Sequence, residues 1–359
     1  MSAPPPAGEP SHESPVGGIA PVAAIAAVIV SWLDADELEE AVRSLARARA
    51  LAGAARPDLR VSLVVVGNGG GELSVRRERI EDLWPGAAIL SNAENRGLAP
   101  ASNQAAESAM AAGGEVLLFL NPDARAEGDL FSALAAGFDA RPEAVALAPR
   151  LLDPNEDAAV PPPGRRLAPP GDEDQFTFQL RRLPRLASDL RELLMWDHLR
   201  PSGAARRRAR YADAPRDRPF EIEQAAGAAL AVRASAFAAI GGFDEAFVPA
   251  WFEDVDLCAR ILPLGRIVYW PLALVRHAGG RSSARLGYDR FLPILYANAL
   301  RYRRKHYGPL ARATYRAALV AGMLARLAVL PLRSSVPRPR AEAARAYLAV
   351  LRLSLKGAP

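Results

Sequence analysis

The chain has 359 residues, 50% of them hydrophobic and 24% charged, which is long enough for a large core and excludes a wholly disordered protein. Its single cysteine, Cys258, excludes an intramolecular disulfide. The net charge of +5 is uneven: residues 281–359 carry sixteen Lys or Arg and two acidic residues, so the rest of the chain is net acidic.

The first 33 residues contain two features that bear on localisation. Residues 1–22 are rich in Pro, Gly and Ser and begin without basic residues, so we expect a disordered leader rather than a signal peptide. Residues 16–33 are uncharged and about long enough to span a bilayer. Because Gly17, Gly18 and Pro21 interrupt this stretch and it ends in AAVIVSW, we predict a buried first strand rather than a membrane anchor.

Strand-like and helix-like segments then alternate through the first half of the chain. The alternation predicts an α/β fold with a mostly parallel sheet flanked by helices, in which ligands bind at the carboxyl ends of strands. The predicted strands are 23–32, 61–67, 87–95 and 115–124, and the predicted helices are 34–50 and 100–113.

The second half begins with a break and ends in a basic region. Residues 153–175 are rich in Pro and acidic residues, and we interpret them as a mobile loop. A basic segment then continues to Arg210, and we predict regular secondary structure again after it. Beyond residue 288 the pattern predicts helices, which form a basic C-terminal extension over 281–359. The folded body would then span 23–280, with its halves at about 23–150 and 176–280.

The segment LNPDA places Asn121 and Asp123 directly after a predicted buried strand. The simplest interpretation is an Asx or proline turn, which is common after strands. A carboxylate at the carboxyl end of a strand is also where a divalent cation can bridge a diphosphate.

A second group of polar residues follows two large aromatic side chains, in the order WFEDVD. Acidic residues commonly complement the dipole of a first helical turn, which is the simplest interpretation of Glu253, Asp254 and Asp256. Crowded carboxylates also tend to raise the pKa of at least one member, which suits a general base.

The third candidate is His277, which follows the strand-like segment RIVYWPLALV. A lone histidine there is more often a packed or surface residue than a ligand. A neutral imidazole at a strand end can, however, complete a metal site that carboxylates begin. Cys258 is expected in a helix core and is given no role.

Four segments occur in an order and spacing that resemble the family 2 glycosyltransferases, most closely the bacterial rhamnosyltransferase-like branch. The segments are ENRGLAPASNQA, LFLNPDA, GAALAVRASAFAAIGGFDEAF and WFEDVDLCARILPLGRIVYWPLALVRHAGGRSS. The resemblance covers roughly residues 24–307. It implies the Rossmann-like GT-A fold, a catalytic domain over 23–280 and inversion at the anomeric carbon of the transferred sugar.

The resemblance also implies roles for single residues. Asn121 and Asp123 stand where the family has its metal- and diphosphate-binding Asp-x-Asp, and His277 matches a later metal-ligand histidine. The expected cofactor is therefore Mn²⁺ or Mg²⁺, held by Asp123 and His277. Asp254 matches the catalytic base. The other matched positions are Trp251 and Glu253 at the acceptor site and Asn95, Arg96 and Gly97 near the donor.

Two positions depart from the family pattern, both in the expected nucleotide pocket. Leu33 stands where the family usually has Asn, and Gly67 stands where it usually has an Asp that reads the base. Asn68 is the candidate substitute for that base contact.

The implied reaction is an in-line displacement in which Asp254 takes the proton of the attacking acceptor hydroxyl. The first choice of donor is dTDP-rhamnose, and galactofuranose or another sugar from UDP is the second. The expected acceptor is a polyprenyl-linked or cell-envelope glycan. A nucleotidyltransferase should carry a glycine- and lysine-rich phosphate loop where this chain has SWLDADE. A non-catalytic glycan- or nucleotide-binding relative stays open because of Leu33 and Gly67.

The basic extension points to an anionic surface as its partner. No DNA-recognition motif accompanies the charge, so nucleic acid is disfavoured. Helices with apolar and arginine-rich faces can lie in the headgroup layer, which predicts a cytoplasmic protein that is peripheral on the inner face of the cell membrane. The alternative is that these helices pack on the catalytic domain or form a homodimer contact.

Overall fold

The computed structural model describes residues 20–33, 35–69, 71–154, 156, 174–199, 203–279, 286–332 and 339–356. The strands are β1 Ala24–Ser31, β2 Arg60–Asn68, β3 Ala88–Asn92, β4 Val116–Leu120, β5 Ala124–Glu127, β6 Ala144–Leu152, β7 Leu180–Arg181, β8 Phe220–Ile222, β9 Gln224–Ala225, β10 Ala229–Arg233 and β11 Arg266–His277. The helices are α1 Ala35–Ala55, α2 Glu72–Leu83, α3 Leu98–Ala111, α4 Leu130–Ala140, α5 Gln175–Gln179, α6 Leu186–Leu193, α7 Trp196–Leu199, α8 Ala204–Ala209, α9 Ala234–Ala239, α10 Glu253–Ile261, α11 Tyr288–His306, α12 Pro309–Val329 and α13 Arg340–Lys356.

The centre of the described structure is a nine-stranded sheet in the order β3-β2-β1-β4-β10-β6-β11-β5, with β8 paired to β11. Strands β1, β2, β3, β4, β6 and β11 run in one direction, whereas β5, β8 and β10 run in the other. The prediction of a mostly parallel sheet flanked by helices is therefore confirmed. All eight residues of β1 are buried between β2 and β4, as a strand covered on both faces requires.

Several element boundaries differ from the predictions. Helix α3 begins at Leu98 rather than at Pro100, because proline is tolerated in a first helical turn. The predicted third strand ends at Asn92, since the following residues turn towards α3. The helical stretch beyond residue 288 is divided at Gly308, and Pro309 begins α12. The predicted leader and mobile loop fall mostly on residues 1–19 and 157–173, which lie outside the described residues.

The C-terminal helices pack on the body of the protein. Helices α11, α12 and α13 share an apolar core with α6, to which Leu193 and Leu319 contribute. A buried ion pair joins the same elements, with 2.5 Å between Arg303 and Asp189. The hydroxyl of Tyr307 donates to Asp189 as well, at 2.7 Å. Within the described residues, no helix is long and apolar enough to cross a membrane.

Candidate active site

The sheet topology brings the predicted site residues to one edge. Because β1, β2, β4 and β11 run in the same direction, their carboxyl ends meet at this edge. Strand β10 runs the other way, so it begins there, and Ala229 pairs with Leu120. Asn68, Asn121 and His277 each lie at the end of one of the parallel strands.

Asp123 and His277 form a pair at this edge. The distance from Asp123 Oδ1 to His277 Nε2 is 3.3 Å, and the imidazole is only 4% exposed. The Oε1 atom of Gln175 lies 3.1 Å from His277 Nδ1, so Nδ1 carries the proton that this carbonyl oxygen accepts. In the neutral imidazole, the Nε2 lone pair then faces a carboxylate oxygen. Two acceptors that face each other require a proton or a cation between them.

The pair has the chemistry of an open metal site. Adjacent ligands of an octahedral ion with bonds of about 2.1 Å lie roughly 3.0 Å apart, close to the observed separation. No cluster of three or more His, Cys, Asp or Glu side chains suited to an ion occurs in the part of the chain that the structure describes. An ion held by Asp123 and His277 would therefore need ligand oxygens and water to complete its coordination, as substrate-bridging ions do.

Asn121 shapes the turn that carries Asp123. Its N–H donates to Ala228 O at 3.0 Å, and its carbonyl oxygen accepts from the N–H of Ala124 at 3.1 Å. The turn therefore bonds both to the segment before β10 and to itself. This is the Asx or proline turn that the sequence predicts, and it also aims Asp123 at His277.

Asp254 lies in the first turn of α10 and faces the beginning of β10. Its Oδ2 accepts from the N–H of Gly227 at 2.9 Å, and its Oδ1 accepts from the N–H of Val255 at 2.8 Å. Burial raises the pKa of Asp254 above its ordinary value, although these hydrogen bonds and the charge of Arg181 oppose the shift. A partly buried carboxylate with a raised pKa is suited to accept a proton.

Glu253 is the neighbour of this carboxylate and is only 6% exposed. Its Oε2 has no hydrogen-bond partner. Burial, reinforced by the charge of Asp254, raises the pKa of Glu253 to about 8. Because burial also raises the pKa of Asp254, the two side chains titrate as a pair.

Asp256 does not belong to this group, although the sequence places it beside the other two carboxylates. It is fully buried and contacts Arg260 at 2.7 Å, Lys305 at 3.0 Å and His306 at 2.8 Å. The sequence suggests three crowded carboxylates, but only Glu253 and Asp254 lie together. Asp256 instead links α10 to the end of α11.

Asp254 and Glu253 line a mostly apolar cleft. The space that these residues border amounts to about 460 Å³ when open solvent is counted with it. Its polar lining includes Asn121 and Ser102, so the NPD turn and the candidate base border the same space. The main apolar side chains that line it are Val30, Leu98, Phe119, Leu230 and Phe243.

The loop before α10 has a strained backbone. Trp251 and Phe252 are consecutive non-glycine residues with φ angles of 71° and 73°. Each residue in this conformation lowers the stability of the fold by about 1–3 kcal/mol, so contacts with neighbouring residues must maintain it. The ring of Trp251 packs edge-on against Phe291 of α11, with 4.8 Å between centroids.

Asn68 is buried at the end of β2 and holds the loop that precedes α3. Its Nδ2 donates to Asn95 Oδ1 and to Gly97 O, both at 3.0 Å. Its Oδ1 accepts from Asn92 Nδ2 and from the N–H of Arg96, both at 3.1 Å. A carboxamide can make four hydrogen bonds, and all four are used here. The sequence offers Asn68 as a contact to the nucleotide base, and in this structure its side chain fixes the 92–97 loop.

Arg96 and Asn95 lie on the exposed side of this loop. The guanidinium of Arg96 makes no ion pair with another described residue, so it is available to an anionic ligand. Gly97 has a φ of 95°, and a Cβ there would lie 2.9 Å from a side-chain atom of Val248. The glycine therefore lets the 92–97 loop pack against the loop that leads into α10.

The structure gives a physical reason for one departure from the family pattern. A Cβ at Gly67 would lie 2.7 Å from the Cβ of Leu73, so a larger residue would displace the start of α2. The space in which an aspartate would lie is filled by an apolar side chain. Leu33, the other departure, is 45% exposed and has a φ of 59°.

Three residues near the site were not singled out from the sequence. Gln175 and Gly227 are the hydrogen-bond partners of His277 and Asp254, and Arg181 is the cation that acts on Asp254. Gly227 lies within a segment that resembles the family, which is a usable signal. Gln175 and Arg181 lie in a segment with no periodic pattern, so only the fold reveals them.

Comparison with known proteins gives one family match. Residues 26–191 match the family described as "Glycosyl transferase family 2". No curated protein matches the chain.

Solved structures with low sequence identity are similar to this chain, and one of them reaches a TM-score of 0.50. The mannosyltransferase PcManGT from Pyrobaculum calidifontis, in complex with GDP-Man and Mn²⁺, is 16% identical with a TM-score of 0.50, over 94% of this chain and 89% of that one. GalNAc-T7 with UDP, GalNAc and Mn²⁺ is 17% identical with a TM-score of 0.49, over 77% of this chain and 48% of that one. This chain thus spans about half of GalNAc-T7. S. aureus TarS 1–349 is 14% identical with a TM-score of 0.45, over 93% and 92% of the two chains.

Proposed function

We propose that this protein is an inverting glycosyltransferase that moves a sugar from a nucleotide diphosphate to a hydroxyl of a glycan acceptor. Its residues 26–191 match the family described as "Glycosyl transferase family 2". The observation that carries the proposal is the pairing of two sites on one sheet edge. One is the carboxylate of Asp254, whose pKa burial raises. The other is the Asp123–His277 pair, which requires a positive charge between its two acceptor atoms.

The protein side of the reaction follows from these contacts. The N–H groups of Gly227 and Val255 fix the orientation of the Asp254 carboxylate, which then takes the proton of the acceptor hydroxyl. Glu253, whose pKa burial raises, donates a hydrogen bond to acceptor or donor sugar in its protonated form and then adds no second negative charge. Arg96, exposed on the 92–97 loop, attracts the diphosphate.

Asp123 and His277 would hold Mn²⁺ or Mg²⁺. Such an ion neutralises the negative charge that grows on a leaving diphosphate. Gln175 keeps the Nε2 lone pair of His277 free for this role, because it fixes the proton on Nδ1. Trp251 and Glu253 border the acceptor side.

One part of the cleft would suit the methyl group of a deoxy sugar. At Leu98, Phe119 and Phe243 a hydroxymethyl group would find no hydrogen-bond partner, and an unpaired buried hydroxyl is costly, whereas the polar residues lie on the rest of the lining. The methyl group of a 6-deoxy sugar would instead gain from burial. Rhamnose from dTDP-rhamnose is therefore the first choice, and galactofuranose or another sugar from UDP is the second.

The test is a panel of nucleotide sugars, first by thermal shift with and without Mn²⁺ and then in transfer assays. A donor at a hundredfold excess over its Kd stabilises the fold by about 2.7 kcal/mol. We expect a metal-dependent shift with one donor, a larger shift for the 6-deoxy sugar than for its 6-hydroxy analogue, and transfer with inversion. Binding without transfer to any glycan acceptor would instead support a non-catalytic nucleotide-sugar-binding protein.

The acceptor we propose is lipid-linked and is met at an anionic membrane surface. Helix α12 exposes an apolar stripe with the spacing of one helix face, and basic side chains such as Arg312 and Arg316 flank it. The stripe consists of Leu310, Ala313, Ala317, Ala321, Leu324 and Ala328. Leu310 is 82% exposed and Leu324 is 54% exposed, although the opposite face of α12 is packed in the core.

Vesicle co-sedimentation of the full chain tests this contact, with and without anionic lipid and at low and high salt. We expect salt-sensitive binding to anionic vesicles, weakened by the double variant Leu310→Ser/Leu324→Ser. The matched control is Leu272→Ser, which removes an equally apolar and 67% exposed side chain from β11. Equal binding of both variants, or no binding by the wild type, would contradict a membrane contact through α12.

A further inference from the structure

Helix α11 contacts the strained loop that leads into the candidate base. We define this loop as residues 248–252. Two of its carbonyl oxygens accept from one side chain: Asn298 Nδ2 donates to Ala250 O at 2.8 Å and to Val248 O at 3.3 Å. Asn298 is fully buried. Its Oδ1 accepts from Arg301 at 2.6 Å.

The 248–252 loop is also connected to the donor side of the cleft. The N–H of Leu98, the first residue of α3, donates to Pro249 O at 2.7 Å. Gly97 packs against Val248 so closely that a Cβ would not fit. At its other end the loop continues directly into Glu253 and Asp254, and Phe252 O accepts from the N–H of Asp256 at 2.9 Å. A shift of this loop would therefore move both walls of the cleft.

Trp251 and Phe252 have left-handed backbone conformations, which are strained in residues other than glycine. Contacts with other parts of the protein must therefore maintain them. Other side chains of α11 supply packing: Phe291 touches Trp251, and the Arg303 guanidinium lies 5.0 Å from the ring of Phe252. Among the hydrogen bonds of the described residues, those from Asn298 are the ones that join α11 to the backbone of the loop.

We propose that Asn298 is a positioning residue for the transfer reaction, which holds the 248–252 loop through two backbone carbonyls and thereby positions the first turn of α10, which carries Asp254. The inference rests on the proposed function for its kinetic consequence. It makes α11, which belongs to the basic C-terminal region by sequence, a part of the active site. Asn298 is fully buried and acts through the loop.

The experiment compares Asn298→Ala and Asn298→Asp with two controls in the full chain. The aspartate keeps the size of the side chain and the bond to Arg301 but loses both donors to the loop, so it separates positioning from packing. Leu300→Ala removes a buried side chain of the same helix that lies in the core of the C-terminal helices. Arg301→Ala removes the partner of Asn298 Oδ1 and leaves both loop bonds in place.

We expect kcat to fall at least tenfold in both Asn298 variants, with the donor KM within about twofold of the wild-type value. Leu300→Ala should lower the Tm with kcat nearly unchanged, and Arg301→Ala should change kcat less than threefold. Loss of kcat in Leu300→Ala as large as in Asn298→Asp would overturn the proposal, because stability alone would then explain the effect.

Hydrogen exchange gives a readout that does not depend on transfer. The N–H groups of Leu98 and Asp256, which bond to the loop, should exchange at least tenfold faster in Asn298→Asp and at the wild-type rate in Leu300→Ala. Unchanged exchange at both groups in Asn298→Asp overturns the positioning role even if the protein is active. If the wild type transfers no sugar but exchange changes as expected, the proposed function fails and the structural role of Asn298 stands.

Discussion

The carboxylates on the two faces of helix α10 differ in their hydrogen-bond and ion-pair partners. On the face towards the cleft, Asp254 receives hydrogen bonds from two backbone N–H groups, and Glu253 has an oxygen without a partner. On the other face, Asp256 is fully buried among Arg260, Lys305 and His306. The three residues lie within one helical turn.

The difference shows that partners, rather than sequence position, decide what a buried carboxylate can do. Asp256 is surrounded by cationic and imidazole groups, so it fastens α10 to α11. Glu253 and Asp254 are buried with far less compensation, and burial raises the pKa of each. A carboxylate in that state can exchange a proton during a reaction, whereas one that is fully paired is best suited to hold structure.

The largest expected effect is that of Asp254→Asn on transfer. The substitution keeps the shape of the side chain and removes the proton acceptor, a role worth about 10²–10⁴ in rate. We expect kcat to fall by that factor, with the donor Kd nearly unchanged in titration calorimetry. A variant that retains more than half of wild-type kcat would contradict the assignment, and Glu253 would become the candidate base.

Asp256→Asn should give the opposite result. Removing one member of a buried ion pair costs about 3–5 kcal/mol, because the remaining charges lose their compensation. Urea unfolding should therefore show a large loss of stability, while kcat of the folded enzyme stays within tenfold of wild type. If Asp256→Asn lost as much kcat as Asp254→Asn at full folding, the division of α10 into two faces would be wrong.

The Asp123–His277 pair provides the third test. Asp123→Ala and His277→Ala should each weaken Mn²⁺-dependent donor binding by about tenfold or more, and Gln175→Ala by about 10–100-fold at most, since it acts through His277. Calorimetric titration with donor and Mn²⁺ measures the effect. Unchanged metal dependence in both alanine variants would mean that neither residue is a ligand, whatever happens to Asp254.

The smallest expected effect is a pH dependence of stability. Folding raises the pKa of Glu253 from 4.5 to about 8. Its stabilising contribution is therefore fully present below pH 4.5 and is lost as pH rises through about 8. The glutamine of Glu253→Gln cannot ionise. The Tm of this variant relative to wild type should therefore be higher at pH 9 than at pH 5, by on the order of a few degrees. Parallel Tm curves for the two proteins would show that Glu253 does not titrate in this range.

Local pattern determined much of the fold and placed the candidate site residues beside its strands. The apolar runs that became β1, β2 and β4 were readable because burial on both faces of a strand leaves a continuous hydrophobic segment. The turn after β4 was readable for the same reason, since it follows such a segment, whereas the acidic start of α10 follows a loop and was identified through the resemblance to the family. Residues 26–191, which match the family described as "Glycosyl transferase family 2", include the turn after β4 but not the acidic start of α10.

Tertiary structure alone decided which of these polar residues can react. The sequence predicts a base contact for Asn68, but it does not show the four hydrogen bonds that its side chain makes to the 92–97 loop. Gln175 lies 102 positions from His277 and still fixes its tautomer. Helix α11 was assigned to a separate basic region, yet Asn298 holds the loop before Asp254. Periodicity records how far each segment is buried, but the identity of a hydrogen-bond partner depends on which distant segments the sheet brings together.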